Sequence, residues 1–247
     1  MTEGGAVGGR RAVVEAIRAG GVLEVLVASG VRENQGLRAV AEAASSAGID
    51  VRETERQELD RMAQDHPGVV ARLRSSEPAR ELGERELAGF PFTEEALVVV
   101  LDGITDPQNL GAAARSAEAA GASVLVSRVR RAADVTPAAV RASAGALLHL
   151  PHARVANIPR ALGRLQDAGF TVVGLDGDAP ISIFDRPCPD GRVALVVGSE
   201  GDGMSRLVRD RCDVLVALPM HGRVGSLNAS ASLAAALYGY VLPTRRS

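Results

Sequence analysis

From Ala96 onward, runs of consecutive apolar residues alternate with stretches in which apolar residues recur at helical spacing. The apolar runs read ALVVVLDG, SVLVS, HLPHARV, FTVVGLDG, VALVVGSE and DVLVALPM, and an Ala/Leu-rich helical pattern follows the last of them. Strands that are apolar on both faces are typical of a parallel sheet covered by helices on both sides. The sequence therefore predicts an α/β fold here, and ligands of such sheets bind beyond the carboxyl ends of the strands.

A smaller α/β unit precedes this region. Helical patterns such as NQGLRAVAEAASSAG alternate there with short apolar runs such as LEVLVAS and VVARL. The next segment, SSEPARELGERELAGFPFTEE, carries many charges, two prolines and little periodicity, so it is expected to form no more than one helical turn. We therefore expect two domains, residues 1–75 and residues 96–247, joined by a linker of residues 76–95.

Composition limits the class of protein. Hydrophobic residues make up 46% of the 247 residues, so a sizeable core can be buried although aromatic residues supply only 2%. All 28 basic residues are arginine, whose planar guanidinium can donate two hydrogen bonds to one phosphate. The net charge of −2 does not by itself indicate a nucleic acid, but it is unevenly divided. Residues 1–95 carry 12 Arg against 17 acidic residues, and residues 96–247 carry 16 against 13. The second half is compatible with an anionic partner and equally with an ordinary mixed surface.

The cysteines and the start of the chain favour a reducing compartment. Cys188 and Cys212 have no CxxC spacing, so neither a disulfide framework nor a zinc site is expected. The first residues lack the apolar core of a signal peptide, and no apolar run of membrane-spanning length follows. The histidines are scattered without metal-ligand spacing, so no metal site is predicted. We expect a cytoplasmic protein with no membrane segment.

Polar clusters follow three of the predicted strands, and the first reads LDGITDPQNLGAAARSAEAAG. Asn109 stands near the start of the following helix, where it is either an N-cap or a ligand-contacting side chain. Arg115 lies more than one turn further along that helix. It is placed either to form a surface salt bridge with Glu118 or to face an anion.

The other two clusters also combine a strand end with polar groups. In VVGSEGDGMSRL, Glu200 stands among glycines, which let a ligand approach the backbone closely. The glycine order is the reverse of the dinucleotide fingerprint, so a Rossmann dehydrogenase is disfavoured. In LPMHGRVGSLNASAS, Ser226 and Asn228 stand at the mouth of the last helix, where Ser226 is a candidate N-cap. A helix cap needs one side chain, so several polar groups there indicate a ligand as well.

Together the three clusters resemble the signature motifs of the SpoU/TrmH family of RNA 2′-O-ribose methyltransferases. The family pattern is DxxxDPxNxGxxxRxxxAxG, then GxEGxGM, then IPMxGxxxSLNVSxA. This chain has DGITDPQNLGAAARSAEAAG, GSEGDGM and LPMHGRVGSLNASAS in the same order. Its N-terminal part, with GGRRAVVEAI, resembles the small ribosomal-protein-like substrate-binding domain of the RlmB-type 23S rRNA guanosine methyltransferases.

The resemblance implies a SPOUT domain with a deep trefoil knot and a homodimer packed through that domain. It implies methyl transfer from S-adenosylmethionine to a ribose 2′-hydroxyl of RNA, in the first instance a guanosine of 23S rRNA, without a metal. The implied catalytic residues are Asn109, Arg115, Glu200, Ser226 and Asn228. The implied cofactor-binding residues are Gly198, Gly201, Leu218, Met220 and Leu227.

Two roles are open for Arg115. It would bind the phosphate of the target nucleotide and favour the alkoxide, or it would accept the hydroxyl proton. An always-protonated guanidinium performs the second role poorly, so we favour the electrostatic one. In the first domain, Arg10, Arg11 and Arg32 are the candidate RNA-binding residues.

Several alternatives remain open at this point. The same chemistry could act on another rRNA nucleotide as an antibiotic-resistance modification, or on tRNA. The chain could also be a non-catalytic RNA-binding protein that kept the fold, which an absence of S-adenosylmethionine binding would favour. A change in fluorescence or in thermal stability on adding a nicotinamide nucleotide would instead favour a dehydrogenase built on a Rossmann sheet.

Overall fold

The computed structural model describes residues 6–18, 22–63, 66–73 and 81–245, and within them it forms two β-sheets. A four-stranded sheet lies in the N-terminal domain and a seven-stranded sheet in the C-terminal domain. The predicted α/β fold class, with a small domain followed by a larger parallel-sheet domain, is confirmed.

The N-terminal sheet is mixed. Its domain contains, in chain order, β1 (Ala6–Gly8), α1 (Arg10–Arg18), β2 (Val22–Ala28), α2 (Gln35–Ser46), β3 (Val51–Thr54), α3 (Arg56–Met62) and β4 (Val69–Leu73). The strand order is β1-β4-β2-β3, in which β2 and β3 are parallel and the other two pairs are antiparallel. The sequence pattern does not predict β1, because this strand has only three residues and lies between glycines.

The C-terminal sheet is parallel throughout. Its elements are β5 (Glu81–Leu82), α4 (Glu84–Ala88), β6 (Leu97–Asp102), α5 (Pro107–Ala119), β7 (Val124–Arg128), α6 (Pro137–Ala142), a 3-10 turn (Ala146–Leu148), β8 (His152–Val155), α7 (Ile158–Asp167), β9 (Thr171–Leu175), β10 (Val193–Gly198), α8 (Arg206–Arg209), β11 (Val214–Val216) and α9 (Ala229–Ala236). The strand order is β11-β9-β10-β6-β7-β8-β5, and all six pairings are parallel. The prediction of a parallel sheet is therefore confirmed.

The central strand β6 shows why these strands are apolar along their whole length. Leu97, Val99 and Leu101 face one buried cluster, which also contains residues of α5 and α9. Val98 and Val100 face a second cluster on the other side, which contains residues of α7. Because both faces are covered by helices, the strand is apolar from Leu97 to Leu101, and its one polar residue, Asp102, stands at the carboxyl end.

The segment predicted as a linker departs from that prediction between residues 81 and 88. β5 joins the edge of the C-terminal sheet beside β8, and α4 follows directly. Leu82 and Leu87 are each 1% exposed and pack in the second cluster. Glu84 forms an ion pair with Arg160 of α7. The sequence does not reveal β5 and α4, because only two leucines, five residues apart, pack them against the domain, and the residues around these leucines are mostly charged.

Residues 229–244 form one continuous helical segment. α9 passes into a π-helical segment, Leu237–Val241, and then into α10 (Leu242–Thr244). Leu233, Ala236 and Leu237 are fully buried in the first cluster. Within the described residues, none of the helices combines the length and the apolar character needed to cross a bilayer.

Candidate active site

Three loops meet at the carboxyl edge of the C-terminal sheet. The first loop (residues 103–106) follows β6, the second loop (residues 199–205) follows β10, and the third loop (residues 217–228) follows β11. β6 and β10 are neighbours whose last residues, Asp102 and Gly198, stand in register. The polar clusters of the sequence therefore converge because parallel strands all end at one edge.

Asn109 is not the N-cap of its helix. α5 begins at Pro107, and the side chain of Asp106 accepts a hydrogen bond from the backbone N–H of Gln108 at 2.9 Å. The cap interpretation of Asn109 is therefore wrong. Its amide instead donates to Oε1 of Glu200 in the second loop at 2.8 Å.

Asn228, not Ser226, caps the last helix. Its Oδ1 accepts hydrogen bonds from the N–H of Ser230 at 2.9 Å and from the Ser230 hydroxyl at 2.6 Å. Its Nδ2 donates to Oδ1 of Asn109 at 2.9 Å and also to Glu200. One face of this amide therefore caps the helix while the other joins the polar cluster, and Ser226 is left outside the helix.

The result is a triangle of side chains, in which Asn109 comes from the first turn of α5 directly after the first loop, Glu200 from the second loop and Asn228 from the third. Oε1 of Glu200 accepts from both Asn109 and Asn228, and the two amides are bonded to each other. Because a carboxylate accepts charge-assisted hydrogen bonds, two amide donors hold Glu200 in one orientation. The same contacts hold the first and third loops against the second.

Glycines shape the second loop. Ser199 and Gly203 exchange two backbone hydrogen bonds of 3.0 Å, which close a tight turn around Glu200. A Cβ atom added at Gly198 would lie 2.0 Å from the backbone carbon of Gly203, so a side chain cannot be accommodated there. Gly201 and Gly203 have φ of +85° and +66°, a region that favours glycine.

A cleft of 300 Å³ opens between the second and third loops and the end of β9. It is lined by all five residues that the resemblance assigns to the cofactor, namely Gly198, Gly201, Leu218, Met220 and Leu227. Glu200 and Ser226 line it as well. Their functional roles stay predictions, but the structure brings these residues together.

The chemistry of the cleft fits S-adenosylmethionine. The cofactor carries positive charge on its sulfonium and its ammonium groups, and Asp178 and Glu200 place carboxylates in the lining. Asp176 also lines the cleft, but it is paired with Arg209 at 2.9 Å. Leu218 and Leu227 offer apolar surface suited to a purine ring, beside a backbone that glycines leave accessible. Within the described part of the chain, no group of three or more His, Cys, Asp and Glu residues is arranged to hold a metal ion.

Arg115 lies apart from this cleft. It is exposed on α5 and lines a cavity of 380 Å³ between the two domains, together with Arg10, Arg11 and His149. We call this space the interdomain cavity. Among the described residues Arg115 has no ion pair, so the alternative of a salt bridge with Glu118 is wrong.

The three arginines proposed for RNA binding do not form one group. Arg10 and Arg11 begin α1 and line the interdomain cavity, and Arg10 also donates to the carbonyl of Pro67 at 3.3 Å. Arg32 is exposed in the connection between β2 and α2 and does not line that cavity.

Two residues of the site are missing from the sequence-based set. Asp102 is 3% exposed at the end of β6, and its Oδ2 accepts a hydrogen bond from the N–H of Ser205 at 2.7 Å. Its Oδ1 lies 3.2 Å from Nη2 of Arg128 at the end of β7. Asp102 is the first residue of the first motif, which is a usable signal, whereas nothing in the sequence pairs it with Arg128.

Comparison of the sequence with known proteins identifies the family of both domains. The SpoU rRNA Methylase family model matches residues 96–238, and a model for RNA 2′-O ribose methyltransferase substrate binding matches residues 6–79. A TrmH-family tRNA/rRNA methyltransferase of Bacillus subtilis is 39% identical over 234 residues, covering 93% of this chain and 92% of that protein. The 23S rRNA (guanosine-2′-O-)-methyltransferase RlmB of Salmonella typhimurium is 36% identical over 218 residues, covering 87% and 88%.

Solved structures show the same architecture. The SpoU methyltransferase AviRb of Streptomyces viridochromogenes, crystallised in complex with the cofactor AdoMet, matches with a TM-score of 0.76 at 29% identity. The match covers 97% of this chain and 90% of AviRb.

A parallel-sheet domain that matches the SpoU methylase family, preceded by a domain that matches the substrate-binding model, defines an S-adenosylmethionine-dependent RNA 2′-O-ribose methyltransferase. The chain belongs to the SpoU rRNA methylase family.

Proposed function

We propose that this methyltransferase acts on the ribose of a guanosine in 23S rRNA. The observation that carries the proposal is the triangle of Asn109, Glu200 and Asn228 beside the cleft. The name of the Salmonella relative, a 23S rRNA guanosine methyltransferase, supports the choice of nucleotide. The Bacillus relative is named for tRNA and rRNA, so tRNA is the second candidate substrate.

The chemistry requires an oriented hydroxyl and a place for negative charge. S-adenosylmethionine supplies an electrophilic methyl group on a sulfonium. An O–C bond forms as the S–C bond breaks, S-adenosylhomocysteine leaves as a neutral thioether, and the hydroxyl proton passes to solvent water. Glu200, held by two amides, orients the polar partners of the reacting ribose, and Ser226 contacts the nucleotide from the third loop. Holding the reacting atoms in line is the main contribution expected of such a site.

Arg115 supplies positive charge to the RNA. Its side chain has no ion-pair partner among the described residues and lines the interdomain cavity with Arg10 and Arg11. We propose that it binds the phosphate of the target nucleotide from that cavity. The other part of the predicted role, stabilising the developing alkoxide, would need Arg115 nearer the cleft than this protomer places it. Arg10, Arg11 and Arg32 contact RNA phosphates from the N-terminal domain, where they fix the position of the RNA.

We further propose that the protein works in the cytoplasm as a homodimer packed through its C-terminal domain, which contains a deep trefoil knot. Met220, Val224 and Leu227 are between 38% and 67% exposed, all within the third loop. Exposed apolar residues in one region are typical of an association surface. Light scattering of the purified chain tests the dimer directly.

The test of the function uses labelled S-adenosylmethionine with separate pools of unmodified 23S rRNA, 16S rRNA and tRNA, followed by mapping of the labelled ribose. Label at one guanosine 2′-oxygen of 23S rRNA is the expected result. Label in tRNA alone would transfer the proposal to tRNA, and label in no pool would refute it.

The role of Arg115 has its own test. Arg115→Ala should lower methylation by about a hundredfold or more while calorimetry shows unchanged cofactor affinity. Loss of cofactor binding would contradict the assigned role.

A further inference from the structure

The loop that follows β7 carries charge beside the candidate active site. It comprises residues 129–136, and we call it the β7 loop. β7 is the neighbour of β6 in the sheet, so the β7 loop emerges at the same edge as the first loop of the site. The N–H of Ala133 donates to the carbonyl of Ile104 in the first loop at 2.8 Å. The two loops therefore form one surface.

Four arginines belong to this surface, and two of them are neutralised. Arg128 pairs with Asp102 at 3.2 Å, and Arg154 pairs with Asp134 at 2.9 Å. These pairs serve the fold, because Arg154 also donates to the carbonyl of Val129 at 3.0 Å. They leave no acidic residue of the β7 loop to compensate further charge.

The other two arginines, Arg130 and Arg131, are exposed. Neither has a hydrogen bond or an ion pair with any other residue that the structure describes. Because the two residues are consecutive in the chain, their positive charges belong to one short stretch of surface without a compensating carboxylate, and such a stretch attracts anions. A phosphate is the anion that the guanidinium fork matches in shape.

The backbone of the β7 loop is held rather than free. Its start is fixed by a 3.0 Å hydrogen bond from the N–H of Val129 to the carbonyl of Val155, and its far side by the bond from Ala133. Arg131 has φ of +57°, a left-handed conformation that is unfavourable for a side-chain-bearing residue. Such a conformation persists only where surrounding contacts impose it, and it is concentrated at functional sites. The backbone that carries the arginine pair is therefore fixed, so on binding only the two side chains have to be ordered.

We propose that Arg130 and Arg131 form a binding site for the phosphodiester backbone of the substrate RNA, next to the nucleotide that enters the site. This inference rests on the proposed function and extends it with a contact in the catalytic domain itself. The arginines act as positioning residues: they hold the RNA and do not take part in methyl transfer.

The test compares Arg130→Gln/Arg131→Gln with the control Arg85→Gln/Arg211→Gln. The control removes the same charge from two exposed arginines that line neither the cleft nor the interdomain cavity. Binding of a 23S rRNA fragment is measured at several salt concentrations, together with kcat, KM for RNA, and cofactor affinity.

Loss of the β7-loop arginines should weaken RNA binding about tenfold at moderate salt and reduce the salt slope by about one to two, because released counterions scale with phosphate contacts. KM for RNA should rise with it, while kcat at saturating RNA and cofactor affinity stay unchanged. RNA binding and a salt slope equal to those of the control would overturn the inference while the methyltransferase function stands. If the wild-type protein methylates no RNA but the β7-loop variant still binds RNA more weakly than the control, the proposed function fails and the binding site stands.

Discussion

The carboxylate of Asp102 joins the second loop of the active site to the end of β7, since it accepts a 2.7 Å hydrogen bond from the backbone N–H of Ser205 while it lies 3.2 Å from Arg128. Asp102 ends β6, and Ser205 ends the glycine-rich loop that carries Glu200. A buried carboxylate with a guanidinium partner is costly to disrupt from one side only. The pair therefore anchors the second loop to the centre of the sheet.

Asp102→Ala should lower the free energy of unfolding by about 2–4 kcal/mol, because it leaves Arg128 unpaired and the Ser205 N–H without its acceptor. Cofactor affinity should fall at least about tenfold as the second loop loses its anchor, which corresponds to about 1.4 kcal/mol. Urea denaturation and calorimetry measure the two effects. Asp102→Ala/Arg128→Met should recover part of the stability, since no unpaired charge remains. Unchanged cofactor affinity in Asp102→Ala would show that the anchor does not control the cleft.

Gly198→Ala tests the close approach within the second loop. The added methyl would lie 2.0 Å from the backbone carbon of Gly203, so β10 and the turn must separate. Overpacking of this kind costs about 1–3 kcal/mol, and the displaced turn should abolish measurable cofactor binding. Gly222→Ala is the matched control, because the nearest atom to its added methyl is 4.0 Å away. Cofactor binding by a folded Gly198→Ala protein at wild-type strength would refute the role of this contact.

The parallel sheet could be predicted because two-sided burial leaves a visible mark on the sequence. β6 and β10 are buried at every position, so their sequences contain continuous apolar runs. The glycines that follow β10 indicate that another group packs closely against the backbone there. β5 and α4 could not be predicted in this way. Their docking rests on Leu82 and Leu87, and two leucines among charged residues form no recognisable period.

The candidate site shows the same division. The motifs identify Asn109, Glu200 and Asn228, but they do not tell which polar residue caps each helix. The position of a helix end is uncertain by a residue or more from sequence alone. The observed caps, Asp106 and Asn228, stand three residues before Asn109 and two residues after Ser226. The pairing of Asp102 with Arg128 depends on which strands are neighbours, a property of topology that no local pattern contains.

Substitutions of Asn228 should separate capping from catalysis. Aspartate is as good an N-cap as asparagine, so Asn228→Asp keeps the cap and should lose stability only through repulsion from the exposed Glu200. It removes the amide donor to Asn109 and Glu200 and places a second negative charge beside Glu200, so methylation should fall by about a hundredfold.

Asn228→Ala provides the comparison. It loses the cap as well, and should therefore be about 1 kcal/mol less stable than Asn228→Asp while it is comparably inactive. Thermal unfolding and methyl transfer measured on both variants check this pattern. An active Asn228→Asp would mean that the triangle serves only the helix end.

His152 should make stability depend on pH below neutrality. It is buried on β8, with Nε2 2.8 Å from the Ser127 hydroxyl, and burial, assisted by nearby Arg154, lowers its pKa to about 4. The unfolded chain, with an ordinary histidine pKa of about 6.5, binds this proton first as the pH falls. The contribution of neutral His152 to the free energy of unfolding is therefore fully present above pH 6.5. It is lost as the pH falls towards 4, which lowers the free energy of unfolding by about 3 kcal/mol. Urea denaturation of the wild type and His152→Gln across that window isolates the contribution, because glutamine can bond Ser127 but does not titrate. The variant should lose less stability on acidification, and identical losses in both proteins would exclude His152 as the source.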